Sequence, residues 1–75
     1  SPGSYSATLL ADPELARRKI MEEAFEVCLE LGRTPVQQRR VAAEAADLVF
    51  HLLAGLVGAG VGWDAVLAEL EERRG

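Results

Sequence analysis

Five carboxylates fall within two short segments, Glu22-Glu23-Ala24-Phe25-Glu26 and Glu44-Ala45-Ala46-Asp47, and no Lys or Arg lies among them. Both segments otherwise read as apolar helix. Side chains three and four positions apart on a helix are neighbours, so Glu22/Glu26, Glu23/Glu26 and Glu44/Asp47 are like-charge pairs. Each such pair costs an isolated helix about 0.2–0.5 kcal/mol. A divalent cation is the simplest agent that offsets this repulsion. An oxygen-only donor set suits Mg²⁺ or Mn²⁺, and without a Cys-His cluster zinc is disfavoured.

The elements that must position these acids follow from local signals. Tyr5 to Leu10 reads as a short helix or ordered arm after a flexible Ser1-Pro2-Gly3-Ser4 start. Asp12-Pro13 opens a helix, with Asp as cap and Pro in the first turn. This helix runs to Leu31 and stops at Gly32. Thr34-Pro35-Val36-Gln37 opens a second helix by the same device, with Gln37 placed for a capping box, and it continues to about Ala59, where Gly58, Gly60 and Gly62 end it. A third follows from Trp63 or Asp64 to Arg74, with Leu67 and Leu70 inward and Trp63 as a packing anchor.

A connection of Gly32, Arg33 and Thr34 forces the two long helices into an antiparallel hairpin. At about 1.5 Å per residue, Glu23 and Glu44 each lie roughly 13 Å from the turn, at the same height. Lys19, Glu22, Glu23, Glu26 and Glu30 share about 100° of arc on one helix, and Gln37, Arg40, Glu44, Asp47 and His51 share a stripe on the other. Beyond His51 the second helix is apolar or small all round, which implies burial on every side. A two-helix hairpin cannot supply that burial. The expected fold is therefore all-α, an antiparallel hairpin plus a C-terminal helix, completed as a four-helix-type bundle by homodimerisation.

An acidic stripe on one amphipathic helix is usually its wet face. Two observations weigh against that here. A solvated face mixes signs at helical spacing, whereas every charge from Glu22 to Glu30 is negative, and the acidic spacing recurs on the antiparallel partner at matching height.

Composition narrows the class. Seventy-five residues make a single domain over 1–75, near the lower limit for a self-sufficient core, and a second copy would enlarge that core. The apolar share is 49 % with one Trp, one Tyr and two Phe, so Leu, Val and Ala must build the interior. A net charge of −4 argues against a nucleic-acid surface. A phosphate-bearing small molecule is allowed if metal ions neutralise both it and the acids. The lone Cys28 reads as a small buried residue, and a cytoplasmic location is the default without a secretory signal. The run Leu48 to Val61 is too short and too broken by glycine to span a bilayer.

Glu22-Glu23-x-x-Glu26 followed by Glu44-x-x-Asp47 resembles the paired acidic signature of the all-α nucleotide pyrophosphatase superfamily, which includes MazG-type enzymes and dimeric dUTPases. Ser4-Tyr5-Ser6-x-x-Leu9-Leu10, Arg18-Lys19-Ile20-x-Glu22-Glu23-Ala24-x-Glu26-Val27, Glu44-Ala45-Ala46-Asp47-Leu48-x-x-His51-Leu52-Leu53 and Val66-Leu67-Ala68-Glu69-Leu70 are similar to the phosphoribosyl-ATP pyrophosphatases of histidine biosynthesis. The resemblance implies a homodimer that hydrolyses phosphoribosyl-ATP to phosphoribosyl-AMP and pyrophosphate. It further implies Glu23, Glu26, Glu44 and Asp47 as ligands of Mg²⁺, or Mn²⁺, with Glu22 and Glu23 catalytic. Metal ions both neutralise a phosphate chain and lower the pKa of bound water, so no Ser, Cys or His nucleophile is needed.

Substrate contacts are expected from Lys19, His51, Tyr5 and Ser4. Lys19 can instead pair with Glu23, and His51 can fix the Asp47 carboxylate rather than touch substrate; Ser4 and Tyr5 are placed on an arm outside the helices. Two departures stand out. Met21 occupies the family's usual Gly position, and the helical segment that commonly precedes the Ser-Tyr motif is missing, which fits a shortened chain or the C-terminal half of a protein fused to the phosphoribosyl-AMP cyclohydrolase. A MazG-type nucleoside triphosphate pyrophosphatase and a non-enzymatic helical dimerisation module are the alternatives.

Overall fold

The structure, a computed structural model, describes residues 4–74, so Ser1, Pro2 and Gly3 of the start read as flexible lie outside the described residues. Four helices follow one another: α1 (Tyr5–Ala11), α2 (Pro13–Leu31), α3 (Gln38–Gly58) and α4 (Trp63–Arg74). Ser4 caps α1 by accepting from the Ala7 amide and Tyr5 is its first residue, so of the short helix or ordered arm expected here the helix forms, and Tyr5 lies within it rather than outside the helices. Asp12 caps α2 by accepting from the Leu15 amide, and Pro13 holds the first turn, as the Asp-Pro pair implies.

The second helix opens later than the Thr34-Pro35-Val36-Gln37 pattern suggests. Arg33 is drawn back on to α2, its amide donating to the Glu30 carbonyl, so the chain needs more residues to reverse. It reaches the helix only at Gln37, an extended N-cap whose side chain makes no capping bond. Arg40 and Val41 donate instead to the Gln37 carbonyl. At the far end α3 closes in a Schellman motif, with Gly60 donating to the Val57 carbonyl and Val61 to the Leu56 carbonyl. Gly60 sits at φ +75°, where a side chain would be strained.

Helices α2 and α3 form the antiparallel hairpin, and α1 lies across both. Leu9 of α1 and Ala16 of α2 are the only fully buried apolar residues among those described. Near the open end the Ile20 side chain packs over Gly55, where an added Cβ would meet Ile20 Cδ1 at 3.1 Å. Helix α4 stands off from the other three, and the radius of gyration is 14.4 Å against about 11 Å for a compact chain of this length.

That openness corrects several burial expectations. Leu67, Leu70 and Trp63 are exposed, because among the described residues no helix packs broadly against α4. The far half of α3 is not covered all round: Val49, Phe50, Leu53 and Val57 form an apolar stripe open to solvent. Cys28 is exposed rather than buried; it lies with Met21 and Phe25 on the side of α2 turned away from α3. By length and a mean hydropathy of 1.6, α3 would reach across a bilayer, which the Leu48 to Val61 run alone did not suggest. Its Arg40, Glu44, Asp47 and His51 stripe turned to α2 marks it instead as one side of an amphipathic hairpin.

Candidate functional site

Each acid is placed by helical spacing. On α2, Glu23, Glu26 and Glu30 project toward α3 at intervals of three and four residues, and Glu44 and Asp47 of α3 project back. Single oxygens of Glu23, Glu44 and Asp47 lie within 4.8 Å of one another, with Glu23 buried, Glu44 half-buried and Asp47 exposed. That graded burial makes a shallow three-carboxylate cup open on the Asp47 side. Its hard oxygen donors fit a divalent ion of the Mg²⁺ kind in number and type.

Glu44 records the crowding. Burial pushes its carboxyl above the ordinary value, and Glu26, Asp47, Glu23 and Glu30 push it further in the same direction. Glu26, read as a fourth ligand, lies outside the three-residue set yet close enough to act on Glu44. Glu22 stands farther out, with Lys19 Nζ donating to its Oε1 at 3.0 Å and lying 3.7 Å from Glu23. The hydrogen bond to Glu22 holds the Lys19 ammonium above its usual range. Lys19 thus bridges the outer acid and the inner one, on the rim of the cup.

His51 is buried, and its contacts differ from those its spacing suggested. Its Nδ1 lies 2.7 Å from the Asp47 backbone carbonyl, not from the Asp47 carboxylate. A carbonyl only accepts, so Nδ1 carries the proton and Nε2 is left to accept from the Tyr5 hydroxyl at 2.8 Å. Both ring nitrogens are thus partnered, and the ring ties α1 to α3. Phe50 completes an aromatic cluster, stacked on Tyr5 with centroids 6.1 Å apart and edge-on to His51 at 5.2 Å. Phe50 was not singled out from sequence, because an apolar residue in an apolar run carries no signal of its own.

At the turn end, Glu30 and Arg40 of the two facing stripes form a pair that the sequence did not foretell. Glu30 is buried, and its carboxylate accepts from Arg33 Nε at 2.9 Å and from Arg40 through both a 3.1 Å and a 3.2 Å bond. The Arg40 hydrogen bond, with the Arg33 charge behind it, holds the Glu30 carboxyl below its ordinary value. Glu30 is thus the one buried acid of the stripe paired with two arginines.

The fold and site define an all-α hairpin protein whose seam gathers three carboxylates that could hold a divalent cation. Comparison with known proteins narrows this class. The family model for phosphoribosyl-ATP pyrophosphohydrolase matches residues 1–74. Proteins named phosphoribosyl-ATP pyrophosphatase from Caulobacter vibrioides and Cereibacter sphaeroides are each 44% identical, over 96% of this chain and 65% and 69% of their own lengths. A histidine biosynthesis trifunctional protein of Neurospora crassa is 46% identical over 92% of the chain and 7% of its own length. No solved structure matches the chain. The chain belongs to the phosphoribosyl-ATP pyrophosphohydrolase family, and it spans 65% of the length of the Caulobacter relative.

Proposed function

We propose that this chain carries the site for hydrolysis of phosphoribosyl-ATP to phosphoribosyl-AMP and pyrophosphate, with Mg²⁺, or Mn²⁺ in its place, held by Glu23, Glu26, Glu44 and Asp47. The observation that carries the proposal is the convergence of Glu23, Glu44 and Asp47 oxygens within 4.8 Å across the seam, in a member of this family. When bound, the cation supplies charge neutralisation for the phosphate oxygens and an acidified water. The protein supplies the rest. Glu22 and Glu23 orient water and take up its proton, Glu22 being the more accessible of the two. Lys19, on the rim, offers its ammonium to a phosphate oxygen in exchange for a carboxylate.

Tyr5 and His51 form the wall beside the cup where ribose or base rests. Ser4 accepts from the Ala7 amide, and its own hydroxyl proton remains free to donate to a sugar oxygen. Two copies make the working unit: the exposed stripe Val49, Phe50, Leu53 and Val57 of α3, with Leu67 and Leu70 of α4, is apolar surface that a homodimer would cover. The protein works in the cytoplasm. The trifunctional name of the Neurospora relative supports a partnership or fusion with a neighbouring histidine-pathway activity, here the phosphoribosyl-AMP cyclohydrolase.

The test offers phosphoribosyl-ATP and a panel of ordinary and damaged nucleoside triphosphates with Mg²⁺ and measures pyrophosphate release. Preference for phosphoribosyl-ATP supports the proposal. Preference for the panel assigns a MazG-type activity instead, and no release from any of them, in a protein of dimer mass, leaves a dimerisation module.

A further inference from the structure

The acid cup requires two helices to come together where their like charges meet. Glu23 and Glu26 of α2 face Glu44 and Asp47 of α3, and their repulsion acts to spread the seam. Among the described residues, one pair alone joins α2 to α3 by side-chain hydrogen bonds: Arg40 with Glu30, through Nε at 3.1 Å and a terminal nitrogen at 3.2 Å. The Glu30 side chain is 9% exposed and takes a further bond from Arg33 at 2.9 Å. Glu30 lies one turn from Glu26, and Arg40 one turn from Glu44. The pair is therefore the layer of the hairpin next to the acids.

We propose that Glu30 and Arg40 are positioning residues for the cation cup, setting the spacing and register of α2 against α3 and withholding the Glu30 carboxylate from the cation. This inference rests on the cation reading above. A planar guanidinium bonded to both oxygens fixes distance and rotation together, which a point charge does not. The requirement is stringent: a slip of one residue moves a helix by about 1.5 Å, while a functional constellation tolerates about 0.5 Å. At the other end of the acids, the Ile20 side chain packs over Gly55 and, among the described residues, no polar bond joins the helices there. The acids thus lie between the Glu30–Arg40 pair and this apolar contact. Saturating Glu30 with arginine protons also explains how an acid in line with Glu23 and Glu26 stays out of the cup.

Mn²⁺ binding to the metal-free, full chain tests the inference, followed by calorimetry or by loss of the free-ion paramagnetic signal. The double variant Glu30→Gln/Arg40→Gln removes one negative and one positive charge, so the attraction of the cup for a cation is conserved and only the clamp is lost. Its Mn²⁺ dissociation constant is expected to rise about 10-fold or more, as for loss of an outer partner of a metal site. The Mg²⁺ concentration for half-maximal turnover should move with it, with a smaller change in kcat at saturating metal. Binding is measured where circular dichroism shows full helicity, so that a merely stabilising role would leave the constant unmoved. Arg40→Lys keeps the charge without the fork; it is expected to weaken binding by a smaller factor, and it decides the matter if the double variant does not fold. Unchanged Mn²⁺ affinity in the folded double variant, or in Arg40→Lys where that variant decides, overturns the clamp while leaving the cation reading intact. A parent protein that binds no Mn²⁺ overturns both.

Discussion

Neutralising Glu44 is expected to move the melting temperature in opposite directions according to whether a divalent cation is present. In the metal-free protein the Glu44 carboxyl is raised above its ordinary value of 4.5, first by burial and then by Glu26, Asp47, Glu23 and Glu30. A raised folded value means that the native state binds the proton more tightly than the unfolded chain. Its contribution to stability is complete below 4.5 and is lost as pH rises through the higher folded value. Above the folded value that contribution is gone, so there Glu44→Gln, which cannot ionise, melts higher than the parent without metal. The gap closes toward about pH 4, where the parent carboxyl is protonated anyway. Excess cation reverses the order. A native-only ligand at 100 times its dissociation constant stabilises by about 2.7 kcal/mol, and a chain of this size shifts by about 4–8 °C per kcal/mol. The parent should therefore rise by about 10–20 °C, and the variant, having lost a ligand, by far less. Thermal melts at fixed protein concentration, in chelator and in excess Mg²⁺ or Mn²⁺ across this pH range, give all four quantities. Metal-free Glu44→Gln melting below the parent at a pH above that folded value, or keeping the full cation-dependent rise, would refute the reasoning.

Three further outcomes follow from the geometry. Glu23→Gln or Asp47→Asn should lower kcat/KM for pyrophosphate release by more than the ~10–100-fold typical of an outer partner, and a smaller loss would remove that residue from the cup. Tyr5→Phe takes the donor from His51 Nε2 and leaves a buried acceptor unpaired. A cost of about 1 kcal/mol is expected, at the low end because Tyr5 is 46% exposed, read as a fall in melting temperature together with a raised KM; an unchanged melt would mean water replaces the hydroxyl. Gly55→Ala should stabilise α3 by about 0.5–1 kcal/mol, since the atom it meets is the end of the Ile20 side chain, which borders a cavity of about 380 Å³ and can yield. A lowered melting temperature would show that the seam has no such slack.

The bounds of α2 and α4 were legible because their signals are local: Asp12-Pro13 to open one, Gly60 and Gly62 to precede the other. So was the meeting of Glu23 with Glu44 and Asp47, which needs only helical rise and an antiparallel turn. The start of α3 was not legible, since Arg33 spends its bonds on Glu30 and delays the reversal, a contact between side chains that no cap pattern encodes. His51 shows the same limit. Spacing put it beside Asp47 correctly, but not which atom of Asp47 it bonds, nor that Tyr5 closes its other side. The exposure of Cys28, Leu67, Leu70 and Trp63 eluded pattern reading for a different reason: apolar periodicity reports that a face seeks cover, and is silent on whether the same chain provides it.

The two helices that carry the acids are consecutive in the chain, with only residues 32–37 between them. Zipping them together closes a very small loop, so the conformational search is brief and assembly belongs to the fast, locally wired kind. Yet each turn added past Arg40 carries Glu44 and then Asp47 toward Glu26 and Glu23, and the climb grows steeper just where the chain is nearest completion. Ions that screen or bridge those charges lower that last rise. A divalent ion that bridges these acids would thus speed the birth of the hairpin, and a chelated solution would yield the same fold more slowly.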